Sequence, residues 1–409
     1  MGRELLTRRD VCKMGGALFT AGGFCLLFPQ LTSLALESET APETKNMPIN
    51  QLVKPYLEDA VLNIDQKTGV VKPSSLYQPH LRDAFFTCLG LGWHDLLEKN
   101  FRFFSEGFDW KEGQAPTSQT LEQKRKTIFF DDESTLFFLI WAGLLKQQGK
   151  SINFEMLEKA YKYVKKHVAD GFYWSAPGNY KYWADTIVPN RPEVISYNQG
   201  FYALALEMAK RLGLAVTSAE LNKAKAGYRS CFNKKIGFVT LGKESQFNQC
   251  QDVSALLPEF LSRYLLSEPV MSDGEVISTV NSHLKRSAVY GKDNQLVGVK
   301  IISGPGGEFL DPAMYAPESL NEAGCYQNGG YWPMFTLTEL SLANLIEPSK
   351  SFVEIARRLL EVEMANNRRS QEYLILAPWG KGSCDLNRSG YSWNVLAAAS
   401  LRISNILYQ

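Results

Sequence analysis

The chain has 409 residues, with 44 Lys and Arg against 43 Asp and Glu, which gives a formal net charge of +1. This balance provides no electrostatic footprint for nucleic acid or acidic lipid, so neither is expected as a partner. Hydrophobic residues make up 45% and charged residues 21%, proportions that exclude disordered, collagenous and coiled-coil chains. Four histidines occur, at no metal-binding spacing, so neither a metal nor another cofactor is expected.

The first 35 residues have the layout of an export signal. Arg8, Arg9 and Lys13 precede an apolar, glycine-rich stretch from 14 to 28, and a small-residue site follows around Ala35. The paired arginines are typical of a twin-arginine signal peptide. We therefore predict an exported protein of the periplasm or cell envelope, with residues 36–50 as a tether. No stable membrane span is expected after signal removal; the alternative is a signal anchor that stays uncleaved.

The seven cysteines are scattered and form no CxxC pair. In a chain with a large apolar core this distribution does not indicate a disulfide scaffold. We expect mostly free, buried thiols, which is compatible with the export of a folded protein.

Residues 51–409 are predicted to form one helical domain. Apolar residues recur at i, i+3 and i+4 in eight stretches: 134–145, 154–167, 195–212, 218–230, 253–266, 334–346, 351–364 and 393–408. Strand-like alternation is confined to 237–241 and 296–302. Successive helical hairpins with long aromatic loops favour a closed ring whose loops build a site at one rim. A repeat solenoid is the alternative, but no fixed-period repeat is present.

Four loop–helix junctions combine polar and aromatic residues, and three of them carry carboxylates. These junctions contain Asp132, Asp185, Glu193 and Glu372, and the neighbouring residues Trp183, Asn328, Trp332 and Trp393. Pyranose rings stack on aromatic planes, and cleavage of a glycosidic bond uses two carboxyl groups. Each residue also has a structural interpretation: a helix cap, a dipole partner, a surface acid or a core tryptophan. Only a fold that closes on itself could bring Asp185 and Glu372 together.

From about Phe101 to Gln409 the chain resembles the six-hairpin (α/α)6 glycosidases. Within that clan it is similar to the amylo-α-1,6-glucosidases, the processing α-glucosidases and the alkaline/neutral invertases. Four motifs occur in the order found in the clan, at 129–138, 182–204, 326–333 and 371–393. The most specific of them is the turn YQNGGYWP at 326–333. The resemblance implies an all-α (α/α)6 toroid with a few short strands in its loops.

The resemblance also implies an inverting, exo-acting hydrolase of an α-glucoside or related oligosaccharide. Asp185 corresponds to the general acid and Glu372 to the general base. The matching sugar-binding positions are Asp132, Trp183, Glu193, Asn328, Trp332 and Trp393. An inverting reaction predicts carboxyl groups about 6.5–9.5 Å apart. The chain departs from the motifs at Ala184 for Met, at Gln327 for His and across 196–199, so the sugar is left open.

Other functions on a helical toroid stay open at this stage. A sugar epimerase or polysaccharide lyase would use His or Tyr as proton carriers, and none of the four histidines lies in a motif. A carbohydrate-binding toroid without turnover would keep the aromatic residues and release no sugar. An unrelated helical toroid of the prenyltransferase type is a further alternative.

Overall fold

The computed structural model describes residues 47–121, 127–178, 180–244, 246–291, 294–317, 322–366, 370–376 and 390–408. Helices dominate these residues. In chain order they are α1 (Ile49–Leu52), α2 (Lys54–Leu62), α3 (Leu81–Leu91), α4 (His94–Ser105), α5 (Ser134–Gln147), α6 (Phe154–Lys166), α7 (Ser196–Arg211), α8 (Ser218–Arg229), α9 (Leu257–Leu266), α10 (Asp273–Arg286), α11 (Pro333–Ile346), α12 (Lys350–Asn366) and α13 (Val395–Ile403).

Within the described residues, alternate helices form an inner ring in which each one contacts the next: α3, α5, α7, α9, α11 and α13. The ring closes because the last inner helix, α13, packs against the first, α3. Helix α5 is buried from Ser134 to Leu145 and helix α7 from Ser196 to Ala209. A helix without an exposed face is stable only when neighbours cover it on all sides, which the ring provides.

The helices that alternate with these form an outer layer and are amphipathic. Helix α6 buries Met156, Leu157, Ala160 and Val164, a spacing that places them on one face. Its N-cap Asn153 accepts a hydrogen bond from the backbone N–H of Met156, and helix α10 begins with a capping box. Helix α6 packs on α5, α8 on α7 and α12 on α11. The architecture is therefore an (α/α)6 toroid, as predicted.

The strands occur in the loops as two-stranded antiparallel ladders. They are β1 (Ser118–Gln119) with β2 (Thr127–Phe129), β3 (Val168–Ala169) with β4 (Phe172–Tyr173), β5 (Phe232–Asn233) with β6 (Phe238–Val239), β7 (Gln251–Asp252) with β10 (Ile302–Ser303), and β8 (Ala288–Tyr290) with β9 (Leu296–Val299). Asp252 is paired with Ile302. This ladder connects the loop before α9 to the loop between α10 and α11.

Each of the eight predicted helical stretches lies on a helix. Val253–Leu256 and Ser392–Asn394 are 3-10 turns that lead into α9 and α13. The sequence interpretation did not include α1, α2, α3, α4 and α10. Both predicted strand segments contain strands: β6 lies within 237–241, and β9 within 296–302, whose last residue begins β10.

The predicted signal peptide and nearly all of the tether lie outside the described residues, as does 377–389 of the loop before α13. No helix among the described residues is long and apolar enough to cross a bilayer. Cys88, Cys231 and Cys250 are free and buried, as expected. Cys325 instead takes part in a disulfide bond.

Candidate active site

A cavity of about 170 Å³ lies where the inner helices begin. Segments that are far apart in the sequence line it, each at the N-terminal end of an inner helix or in the loop before one. Their carboxylate and indole side chains are Asp83 at α3, Asp131 before α5, Trp183 and Asp185 before α7, Trp332 before α11, and Glu372 and Trp393 before α13. The partial positive charge at helix N-terminal ends favours carboxylates there.

Asp185 and Glu372, the two predicted catalytic acids, both line this cavity. Asp185 is partly exposed, whereas Glu372 is buried. Ring closure brings them together, because Asp185 precedes the third inner helix and Glu372 precedes the sixth. Two carboxyl groups thus line one cavity, which is the arrangement that the sequence interpretation required.

Gln327 holds the Asp185 side chain. Its Nε2 donates to Asp185 Oδ1 at 2.9 Å and to the backbone carbonyl of Trp183 at 3.2 Å. Its Oε1 accepts from the backbone N–H of Thr186 at 3.1 Å and from the Thr186 hydroxyl. Because a backbone N–H can only donate, the Gln327 amide oxygen must face Thr186, which turns the amide N–H groups towards Asp185.

The segment that carries Glu372 is fixed by buried polar groups. The backbone N–H of Ser370 donates to Asp59 Oδ2, and that of Gln371 donates to Glu363 Oε1, each at 2.8 Å. Tyr331 and Leu374 pair through two backbone hydrogen bonds on the other side of Glu372. Glu372 is thus held on a backbone with little freedom to move.

Three tryptophans form one wall of the cavity. Trp332 lies edge-on to Trp183 and Trp393, with ring centroids 4.9 and 5.9 Å apart. The Trp183 indole N–H donates to Ser254 Oγ at 2.6 Å, and that of Trp332 donates to the Tyr326 carbonyl at 3.0 Å. All three predicted tryptophans therefore line the cavity, and two have their indole N–H groups fixed by the protein.

The sequence interpretation missed an ion pair at the cavity, Arg82 and Asp83 at the start of α3. Arg82 Nη1 donates to the buried Glu133 carboxylate, and Arg82 Nη2 lies 3.6 Å from Asp83 Oδ2. Burial alone would lower the pKa of Arg82, but the charges of Glu133 and Asp83 outweigh it and raise the pKa well above its ordinary value. The signal in the sequence is an Arg–Asp pair in the first turn of an apolar helix.

Some polar atoms of the cavity wall are buried and make no hydrogen bond within the described part of the chain. They are both carboxylate oxygens of Asp83, the Tyr182 hydroxyl and the Trp393 indole N–H. A buried polar group without a partner is costly, and native proteins rarely leave one unexplained. These three side chains face a cavity, so a bound molecule rich in hydroxyl groups could satisfy them.

The acidic cluster 131–133 places a different aspartate at the cavity from the one predicted. Asp131 lines the cavity and also caps α5, because its Oδ1 accepts from the backbone N–H groups of Glu133 and Ser134. Asp132 does not belong to the lining, and its Oδ1 lies 3.8 Å from Lys181 Nζ. Burial raises the pKa of Asp132 to about 6, against the opposing charge of Lys181.

Glu193 and Asn328, predicted to bind sugar, lie outside the cavity lining. Glu193 is buried, and its Oε1 accepts from the backbone N–H groups of Lys243 and Glu244, both at 2.9 Å. Asn328 is buried and exchanges two 3.1 Å hydrogen bonds with the backbone of Leu310. Both side chains thus fasten loops around the site, which explains polar residues at these motif positions.

Among the described residues, no group of three or more His, Cys, Asp or Glu side chains has the arrangement of a metal site.

No protein-family profile matches the chain, and no curated protein matches it in sequence. Solved structures do match its fold. One is a mannosylglycerate hydrolase of family GH63 from Thermus thermophilus, with a TM-score of 0.54 and 12% identity over 85% of this chain and 99% of that one. An α-mannosidase from Streptococcus pneumoniae matches with a TM-score of 0.55 and 14% identity, over 88% of this chain and 94% of that one.

A rhamnosidase from Klebsiella oxytoca, solved with rhamnose bound, is also similar, with a TM-score of 0.58 and 12% identity. The match covers 90% of this chain and 66% of the rhamnosidase. Identities this low establish a common fold. The chain is an (α/α)6 toroid of the kind found in six-hairpin glycosidases, which is the fold that the sequence resemblance predicted.

Proposed function

We propose that this protein is a glycoside hydrolase. The observation that carries the proposal is the meeting of Asp185 and Glu372 at one cavity walled by tryptophans. Two carboxyl groups and a stacking surface are what hydrolysis of a glycosidic bond requires. The glycosidases among the structures with this fold support the same reaction class.

The proposed reaction proceeds with inversion. Asp185 donates its proton to the glycosidic oxygen as the bond from that oxygen to the anomeric carbon breaks. Glu372 removes a proton from a water whose oxygen attacks the anomeric carbon from the opposite face. The products are the freed alcohol and a sugar of inverted anomeric configuration, and solvent returns the proton from Glu372 to Asp185. This mechanism predicts carboxyl groups about 6.5–9.5 Å apart.

The buried part of the cavity, here called the floor, is lined by Asp83, Asp131, Tyr182 and the three tryptophans. It supplies contacts for the non-reducing-end sugar, whose anomeric carbon the water attacks. We assign its hydroxyl groups to Asp83, Tyr182 and Trp393, whose buried polar atoms make no hydrogen bond within the described residues. The carboxylate of Asp131, which lies at the same wall, adds an acceptor. The apolar face of the sugar would rest on Trp183 or Trp332. Asp132, Glu193 and Asn328 act in this proposal through the loops that they hold.

The proposed substrate is an α-glucoside or a related oligosaccharide, cleaved from its non-reducing end. A mannosylglycerate hydrolase, an α-mannosidase and a rhamnosidase share the fold, so the first screen extends beyond glucosides. It should include isomaltose, sucrose, trehalose, α-1,6-mannobiose, mannosylglycerate and α-rhamnosides. Nuclear magnetic resonance of the first product formed would give its anomeric configuration. Binding of a sugar without any release would favour the non-catalytic carbohydrate-binding toroid.

The catalytic roles are tested with Asp185→Asn and Glu372→Gln. Loss of a general acid or base lowers turnover by about 10²–10⁴-fold, and we expect that loss on an O-glycoside for both variants. On the matching glycosyl fluoride, whose leaving group needs little protonation, only Glu372→Gln should lose activity. Glu58→Gln, at a half-buried carboxyl on α2 that is not part of the cavity lining, is the matched control. Near-normal O-glycoside turnover by either catalytic variant, with unchanged thermal unfolding, would refute the assignment.

A further inference from the structure

Four partly exposed rings extend the cavity wall beyond the buried tryptophans. Tyr77, His80, Phe129 and Tyr180, here called the aromatic rim, all belong to the lining. Tyr180 has 47% of its surface exposed, and the other three are half-buried. The three wall tryptophans and Tyr391 are buried by contrast. The cavity thus has a buried floor and an accessible aromatic edge.

The rings of the rim form a continuous row. Starting from Tyr391, successive centroids are 6.2, 6.4, 5.8 and 5.7 Å apart, through Tyr77, His80 and Phe129 to Tyr180. His80 is fixed in the row because its Nδ1 donates to the Gln78 carbonyl at 2.8 Å. A row of this kind offers apolar ring surfaces along more than one sugar unit.

The position of Tyr180 places the end of this row beside the general acid. The backbone N–H of Tyr180 donates to the main-chain carbonyl of Asp185 at 2.8 Å. Tyr180 has a φ of 57°, a left-handed conformation that bulky residues rarely adopt. The general acid protonates the oxygen of the leaving group, so the leaving group must start on the Asp185 side of the cavity.

The size and charge of the cavity define what kind of leaving group fits. Its volume of about 170 Å³ is small beside the roughly 300–1,000 Å³ of pockets that enclose drug-sized ligands. A substrate of two sugar units therefore extends beyond this enclosed volume. Arg82 is the only Lys or Arg among the described lining residues. Its guanidinium group forms ion pairs with Glu133 and Asp83.

From these observations we infer that the aromatic rim is the binding site for a neutral sugar leaving group. The inference rests on the proposed function, because it takes Asp185 as the general acid. The floor holds the sugar that receives the water, and the rim holds the sugar that departs. A leaving group that carries a carboxylate finds no unengaged Lys or Arg among the described lining residues.

The test compares two leaving groups on the same sugar in Tyr180→Ala and Phe129→Ala. The substrates are whichever of isomaltose and α-1,6-mannobiose the wild type cleaves, and the corresponding glycosyl fluoride. We expect kcat/KM for the disaccharide to fall about tenfold or more in each variant, as loss of an aromatic contact implies. The value for the fluoride, which has no leaving sugar, should stay unchanged. Tyr180→Phe should retain the wild-type values.

Tyr290→Ala is the matched control, since this tyrosine is 57% exposed on β8 and is not part of the cavity lining. An equal fall for the disaccharide and the fluoride, or no fall for either, would overturn the inference. So would wild-type cleavage of mannosylglycerate, whose leaving group is an anion, in preference to the disaccharide.

A binding measurement separates this inference from the proposed function. Tryptophan fluorescence of Glu372→Gln is titrated with the disaccharide and with the methyl glycoside of the same sugar. We expect tighter binding of the disaccharide, and loss of that advantage when Tyr180→Ala is added. A wild type that hydrolyses none of the screened glycosides refutes the proposed glycosidase, and the titration still decides whether the rim binds sugar. Equal affinities for both ligands would contradict a rim site.

Discussion

At the residue scale, the Gln327 amide fixes one oxygen of the Asp185 side chain. Gln327 donates to the Asp185 carboxylate and accepts from the backbone N–H of Thr186. The orientation of the Asp185 carboxyl group is therefore tied to the backbone at Thr186. The glycosidase motif that this turn resembles has histidine at the corresponding position. An amide does not ionise near neutral pH, so in the proposed reaction Gln327 would orient Asp185 and would not serve as a second acid.

Gln327→Leu should lower kcat for an O-glycoside by up to about 10²-fold, because a misplaced catalytic group loses the benefit of orientation. Turnover of the glycosyl fluoride should be retained, since it needs little help from Asp185. Gln327→Glu places a second carboxyl group beside Asp185, which favours a shared proton. The alkaline limb of the pH profile should then move to higher pH. Superimposable profiles for Gln327→Glu and wild type would contradict the orienting role.

At the element scale, the segment 370–372 is held by side chains of the outer helices. Asp59 lies on α2 and Glu363 on α12, and each accepts a backbone N–H from this segment. Tyr56 of α2 donates its hydroxyl to the other oxygen of Glu363. Burial raises the pKa of Glu363 to about 8. Helices remote in the sequence thus determine where Glu372 lies.

The pKa of Glu363 predicts how stability depends on pH. Unfolding returns the carboxyl group to an ordinary pKa near 4.5, so its contribution is complete below about pH 4.5 and is lost as pH rises through about 8. Urea unfolding at pH 5, 6.5 and 8 should show wild type losing stability relative to Glu363→Gln as pH increases. Tyr56→Phe removes a hydrogen bond that lowers the pKa of Glu363, so this pKa should rise further. The loss of stability should therefore extend to higher pH. Parallel stabilities of wild type and Glu363→Gln from pH 5 to 8 would contradict the prediction.

Apolar periodicity predicted most of the helices but not all of them. Helices α6 and α8 have a clear apolar stripe and were predicted nearly to the residue. Helices α5 and α7 were predicted although they are buried on all sides, so burial does not explain why α3 was missed. In α10 the inward face includes Thr279 and His283. Helix α4 does have a stripe with Leu97, Phe101 and Phe104, so that omission was avoidable.

At the scale of the whole molecule, the sequence motifs predicted that two acids would meet, and the ring shows how they do. Motifs could not predict which of Asp131 and Asp132 reaches the cavity, since capping of α5 and the charge of Lys181 decide it. The motifs also did not predict the aromatic rim. Its rings come from the loop before α3, from β2 and from the loop before α7, and only ring closure makes them neighbours.

Ring closure itself depends on small residues where inner helices meet. A Cβ on Gly90 of α3 would lie 2.6 Å from the backbone nitrogen of Leu396 and 2.7 Å from the carbonyl carbon of Val395, both on α13. A Cβ on Gly200 of α7 would lie 2.6 Å from Pro258 of α9. Side chains at these positions would force the helices apart, because backbone atoms and a proline ring cannot turn aside.

Gly90→Ala is therefore expected to destabilise the protein by about 1–3 kcal/mol, as overpacking does, although alanine is about 1 kcal/mol the better helix former. Activity should fall as well, because α3 carries Arg82 and Asp83 and the segment leading into α13 carries Trp393. Gly274→Ala is the matched control: it lies on the exposed start of α10, where a Cβ would meet no atom within 4 Å. Urea unfolding and turnover of both variants decide the matter. A Gly90→Ala protein as stable and active as Gly274→Ala would mean that the α3–α13 contact does not need its close approach.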